Sequence, residues 1–205
     1  MIQLFYRKNK NNFLIKQIDQ HILVHNVGID SKKLQIMETD HSLKPLAVLF
    51  AHSGDSWFWL VGLLIVFFAA SLEWKYRALV MMVSFVILAV IVLLIKFTVR
   101  RRRPEGEWGK IYRATDPHSF PSGHAARAFL FAVLALGLGP AWFGITLIIW
   151  APLVTLSRVI TGVHYLSDVI AGSIIGVLAG CGVLLLLPRL DPLLMWTLST
   201  LEQII

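Results

Sequence analysis

Between Ser56 and Leu187 the chain is a succession of apolar runs interrupted only by short polar islands. In a lipid interior the backbone has no water to bond, so each run must satisfy its own N–H and C=O groups as a helix. The candidate spans are Ser56 to Leu72, Ala78 to Ile95, Ala125 to Gly139, Ala141 to Leu156 and Val169 to Leu187. Trp57, Trp59, Trp74 and Trp142 stand at their ends, where interfacial aromatic side chains belong. The expected fold is therefore all-α, an integral membrane helical bundle of about five spanning helices.

Charged residues make up 15% of the 205 residues, against roughly 25% in a soluble globular domain. The length suits one domain. The net charge of +7 comes from Lys and Arg set beside apolar runs, which favours anionic lipid and phosphate as partners and argues against nucleic acid. The single cysteine, Cys181, lies within an apolar run and reads as a packing residue. No feature addresses oligomeric state.

Residues 1–55 read as an interfacial N-terminal segment and residues 56–205 as the bundle. Ile15, Ile18, Ile22 and Ile29 recur at helical spacing among Lys16, Asp19, Gln20 and His21, the pattern of an amphipathic helix on a membrane surface. Nothing after Met1 to Lys10 has the apolar core of a cleavable signal. Leu43 to Ala51 is too short to span and reads as interfacial or re-entrant, and Leu190 to Ile205, after Pro188, as a short terminal interfacial helix.

The polar islands carry the chemistry. In the first, Lys96 and Arg103 are seven residues apart, about two helical turns, so both can face one anion. The adjoining Arg100, Arg101 and Arg102 read equally well as a lipid headgroup cluster. In the second, Pro121-Ser122-Gly123-His124 precedes an apolar helix, whose first N–H groups and the Ser122 hydroxyl can cradle an anion. Gly123 allows close approach, and His124 is placed as a general acid. The plain alternative is a Ser122 helix cap with His124 at the interface. In the third, His164 and Asp168 are four residues apart, so the carboxylate can orient the imidazole and leave its other nitrogen to attack, while Arg158 adds a phosphate donor. On this reading Asp168 is the only carboxylate placed to support a histidine.

Counting spans puts all three islands on one side of the membrane, since the second span ends at Lys96, the third begins near His124, the fourth ends at Ser157 and the fifth begins near Asp168. A dense Arg/Lys set repels a divalent cation, and His118, His124 and His164 lack Cys partners, so no metal and no cofactor is expected. Phosphoryl transfer through a phosphohistidine fits the residues present.

Lys96-x6-Arg103-Pro104, Pro121-Ser122-Gly123-His124 and Ser157-Arg158-x5-His164-x3-Asp168 together resemble the three-part signature of the type-2 phosphatidic acid phosphatase superfamily. The resemblance implies that His164 is the nucleophile, Asp168 orients it and His124 protonates the leaving group. It further implies that Lys96, Arg103, Ser122, Gly123 and Arg158 hold the phosphoryl oxygens. The expected function is that of a membrane-embedded, metal-independent lipid phosphate phosphatase, acting on phosphatidic acid, phosphatidylglycerol phosphate, or a polyprenyl phosphate or diphosphate. The alternatives are a phosphotransferase using the same phosphohistidine and a non-catalytic lipid-binding scaffold. A multi-pass location in the plasma membrane is expected. Relatives usually work on the non-cytoplasmic face, whereas the positive-inside rule puts this motif face in the cytoplasm. Glu105 to Phe120, with Trp108, Tyr112, Asp116 and His118, is a candidate for headgroup selection or a simple connecting loop.

Overall fold

The computed structural model describes residues 44–104 and 116–204. The expected amphipathic helix within residues 12–29, and residues 105–115 with Trp108 and Tyr112, lie outside the described residues. Among those described, the elements in order are α1 (Lys44–Ser53), α2 (Ser56–Ala69), α3 (Leu72–Val99), α4 (Gly123–Leu138), α5 (Ala141–Ile160) and α6 (Leu166–Ile204). A lone antiparallel bridge pairs Arg102 with His118.

By length and composition α3, α5 and the Leu166–Leu201 part of α6 are each able to cross a membrane. The α1–α2 pair, bent by 53°, qualifies as a fourth, either as a broken span or as a re-entrant loop. The remaining apolar run is α4, with 16 residues. It is central to the bundle: Ala125, Ala126, Ala128, Leu130, Phe131, Ala132, Leu134 and Ala135 have no exposed surface. Leu94 on α3 and Leu178 and Leu185 on α6 point outward with 64%, 66% and 80% exposure, as a lipid-facing surface requires.

Backbone contact joins α4 to α6. A Cβ placed on Gly172 would lie 2.4 Å from the Ser122 carbonyl oxygen, and one on Gly176 2.1 Å from that of Ala126. Without side chains at these two turns the helices meet main chain to main chain, the usual means of close helix association in membranes. Ser122 N donates to Asp168 O at 2.9 Å on the same seam, tying the start of one helix to the start of the other.

The structure corrects the expectation for the C-terminal segment. Leu190 and the residues after it continue α6 through Pro188 and Pro192 and do not form a separate interfacial helix. Proline is tolerated where neighbouring packing holds the helix together. Here Leu198 is buried in the main core, and the Tyr76 hydroxyl on α3 donates to Asp191 Oδ1.

Candidate active site

The polar islands converge on a cavity of about 220 Å³. Lys96, Arg103, Asp116, Gly123, His124, Arg127, Arg158 and His164 line it together with Ser56 and an apolar wall from α3, Phe85, Leu88, Ala89, Val92 and Leu93. Ser122 and Asp168 lie behind this lining. Ser122 is the N-cap of α4 and its hydroxyl accepts weakly from Ala125 N at 3.5 Å, so it holds the helix start that presents Gly123 and His124.

His164 sits in the turn between α5 and α6, only 2% exposed. Arg103 Nη1 lies 3.2 Å from its Nε2. A guanidinium only donates, so Nε2 carries the lone pair and the proton resides on Nδ1, facing Asp168 Oδ2 at 3.5 Å. That spacing is at the outer edge of hydrogen bonding, and among the described residues Nδ1 has no other partner. Burial, reinforced by the charges of Arg103 and Arg158, outweighs the pull of Asp168 and lowers the His164 pKa to about 4. The imidazole is therefore neutral at physiological pH, the form that can attack.

Asp168 is held from two further directions. Its Oδ2 accepts from Tyr165 N at 2.9 Å, the third residue of α6 reaching back to cap its own helix. Its Oδ1 accepts from Arg101 Nη1 at 2.7 Å, and the same guanidinium lies 4.0 Å over the Tyr165 ring. Arg101, for which the sequence leaves an anion-site residue and a headgroup cluster equally open, is thus a buried counter-charge.

Asp116 bridges the two cations expected to hold phosphate. Its Oδ2 accepts from Lys96 Nζ and, at 2.7 Å, from Arg103 Nη2, while its carbonyl accepts from Arg103 Nε at 2.7 Å. Ser119 N donating to Arg101 O at 2.9 Å aligns this segment with residues 101–103. Burial raises the Asp116 carboxyl, but the hydrogen bond and charge of Lys96 and the charge of Arg103 prevail and leave its pKa below the ordinary value. A carboxylate therefore occupies the corner between these two cations.

The cavity sets a buried, neutral histidine among basic side chains and against an apolar wall. The PAP2 superfamily model matches residues 77–191, more than half of the chain. The chain belongs to the PAP2 superfamily. The undecaprenyl-diphosphatase of Sulfolobus acidocaldarius is 32% identical over 158 residues, covering 74% of this chain and 75% of that protein. The crystal structure of Aquifex aeolicus LpxE superposes with a TM-score of 0.60 at 23% identity, over 75% of this chain and 93% of that one. The transmembrane PAP2 type phosphatidylglycerolphosphate phosphatase from Bacillus subtilis gives 0.62 at 22%, over 87% and 94%. Those two likenesses bear on the fold, which is that of a membrane PAP2 protein. Family and spans together make the chain a membrane-embedded PAP2 phosphatase.

Not every residue at this PAP2 site was legible in the sequence. Asp55 corrects the reading that Asp168 alone supports a histidine, because its Oδ1 lies 2.9 Å from His124 Nε2. Its only sequence signal is that of a helix cap before Ser56, yet its side chain makes no cap bond. Arg127, one turn after His124, donates through Nη1 to Ser56 Oγ at 2.6 Å and through Nη2 to Gly54 O, and lies 5.3 Å over Phe85. A single Arg in an apolar run was the available signal for it.

Proposed function

We propose that the protein hydrolyses a lipid phosphate or diphosphate through a phosphohistidine on His164, with Lys96, Arg103 and Arg158 supplying the positive charge of the transition state and no metal. The observation that carries this reading is the placement of the His164 ring in the cavity wall, Nε2 beside Arg103 Nη1 and Nδ1 toward Asp168 Oδ2, which assigns the proton to Nδ1 and the lone pair to Nε2. Nε2 attacks phosphorus as the bond to the leaving oxygen breaks, and the imidazolium formed is stabilised by the Asp168 carboxylate. His124 delivers a proton to the leaving oxygen, then takes one from the water that cleaves the P–N bond. Gly123 and the first N–H groups of α4, set by Ser122, receive the equatorial oxygens.

The apolar wall of Phe85, Leu88, Ala89, Val92 and Leu93 continues the basic pocket toward the lipid and suits the chain of a membrane-anchored substrate. Among lipid phosphates we favour a polyprenyl diphosphate, supported by the name of the Sulfolobus relative. Phosphatidylglycerol phosphate and phosphatidic acid are the comparison substrates. The same reading puts the protein in the plasma membrane, with membrane fractionation as its check.

The test is phosphate release by detergent-purified protein from these lipids with chelator present, beside His164→Ala. Release that survives chelation and disappears in the variant supports the reading. A folded wild-type protein that releases phosphate from none of them overturns it.

A further inference from the structure

We infer that Asp55 is a positioning residue for the general acid: by holding His124 Nε2–H it directs His124 Nδ1 at the leaving oxygen and stabilises the imidazolium that donates. The inference rests on the phosphatase reading above. It concerns a residue outside the segment that matches the PAP2 superfamily, residues 77–191, and therefore a part of the machinery contributed by the bent α1–α2 unit.

Three observations place Asp55 for this role. First, Oδ1 lies 2.9 Å from His124 Nε2 and Oδ2 lies 3.1 Å from His52 Nδ1, so the carboxylate is shared between two imidazoles and spends neither oxygen on capping α2. Second, the turn that carries it is pinned on both flanks. Arg127 of α4, one turn beyond His124, bonds Gly54 O and Ser56 Oγ, while Trp59 Nε1 donates to Ser53 O and Trp150 Nε1 to Ser53 Oγ, each at 2.9 Å. Third, Gly54 brings the turn against the acid: a Cβ there would lie 3.2 Å from His124 Cδ2 and 2.8 Å from Val154 Cγ1. So many constraints on one short turn fix a carboxylate against a histidine whose other charged neighbours, Arg127 and Arg158, are cations.

The chemistry needs such a partner. In the first half-reaction His164 Nε2 forms a bond to phosphorus, the bond between phosphorus and the leaving oxygen breaks, and its electron pair stays on that oxygen. The proton on His124 Nδ1 moves to the same oxygen, leaving a neutral imidazole still bonded through Nε2–H to Asp55. In the second half-reaction water adds to phosphorus, the P–N pair returns to His164, and the water proton restores His124. Among cations alone, the protonated form of His124 is disfavoured at the moment it is required, and the Asp55 charge offsets that. Half-exposed His52, on the outer oxygen of Asp55, connects this pair to water.

The experiment compares two soluble phosphates in detergent. Dodecyl phosphate releases a basic alkoxide that must be protonated, whereas p-nitrophenyl phosphate releases a phenolate that leaves without a proton. Asp55→Asn should lower kcat/KM, which reports the first half-reaction alone, about 100-fold for dodecyl phosphate, the lower end of general-acid effects, and at most about fivefold for p-nitrophenyl phosphate on the same scale. The ratio of the two rates does not depend on how much of a preparation is folded. His124→Ala should show the same pattern, and adding Asp55→Asn to it should change the ratio no further. If Asp55→Asn cannot be isolated folded, Asp55→Glu carries the same test, with an intermediate ratio expected because its carboxylate is kept but displaced. Equal losses on both substrates make Asp55 merely structural and overturn the inference. Wild-type protein that releases phosphate from neither overturns the phosphatase reading and this inference with it.

Discussion

Arg101 Nη1 lies 2.7 Å from Asp168 Oδ1, and both groups are buried, the carboxylate completely. Removing one partner of such a pair leaves an uncompensated charge and costs about 3–5 kcal/mol. Arg101→Ala is therefore expected to lower the detergent-solubilised melting temperature and reduce turnover, while Arg101→Lys, which keeps the charge, should restore much of the stability. Thermal unfolding of the two variants side by side checks this.

Asp116 bonds Lys96 and Arg103, the two cations proposed to hold the substrate phosphate, and on that proposal it competes with substrate for them. Replacing it with Asn removes a negative charge from the anion corner while keeping its size. Inorganic phosphate should then inhibit about tenfold more strongly, a gain of roughly 1.4 kcal/mol. An inhibition constant that rises instead would mean that Asp116 orients the two cations for binding.

His164 titrates at about 4 in the folded protein, below the ordinary histidine value of 6.5. The unfolded chain therefore binds more protons between these two pH values, so stability falls as pH drops from 6.5 toward 4 and is fully present above 6.5. His164→Gln should lose that part of the pH dependence. Measured from pH 7 to 4, the wild-type melting temperature should fall relative to that of the variant as pH drops below 6.5, so that the difference between the two changes most between pH 6.5 and 4.

Gly176→Ala places a methyl group against the Ala126 carbonyl, and backbone cannot move aside as a flexible side chain would. Overpacking of this kind costs about 1–3 kcal/mol. Gly182, which has nothing within 4 Å of an added Cβ, is the control, and Gly182→Ala should leave the melting temperature unchanged or raise it slightly.

The convergence of Lys96, Arg103, Gly123, His124, Arg158 and His164 on one cavity followed from counting spans, because helix ends on one face of a bundle are neighbours whatever their separation in sequence. Asp55 and Arg101 escaped that logic. A carboxylate before Ser56 has the signature of a helix cap, and one Arg in a run of four gives no sign of which will be buried. The sequence allows Ser122 to be a phosphate donor or a helix cap, and the cap is the contact present. The continuation of α6 past Pro188 was hidden for a different reason. Local preference argues for a break there, whereas long-range contacts, the burial of Leu198 and the Tyr76–Asp191 bond among them, favour continuation.

The seam of Gly172, Gly176 and the Ser122–Asp168 hydrogen bond makes α4 and the start of α6 one inextensible unit. Bilayers differ in hydrocarbon thickness, and helices accommodate the difference by tilting. Tilting of α3, which has a lipid-facing side and supplies Lys96 and the apolar wall, would move that wall, while the seam keeps His124 and the start of α6 in step. Membrane thickness should therefore be felt in how readily a lipid is captured, with the chemical step insulated from the bilayer in which it takes place.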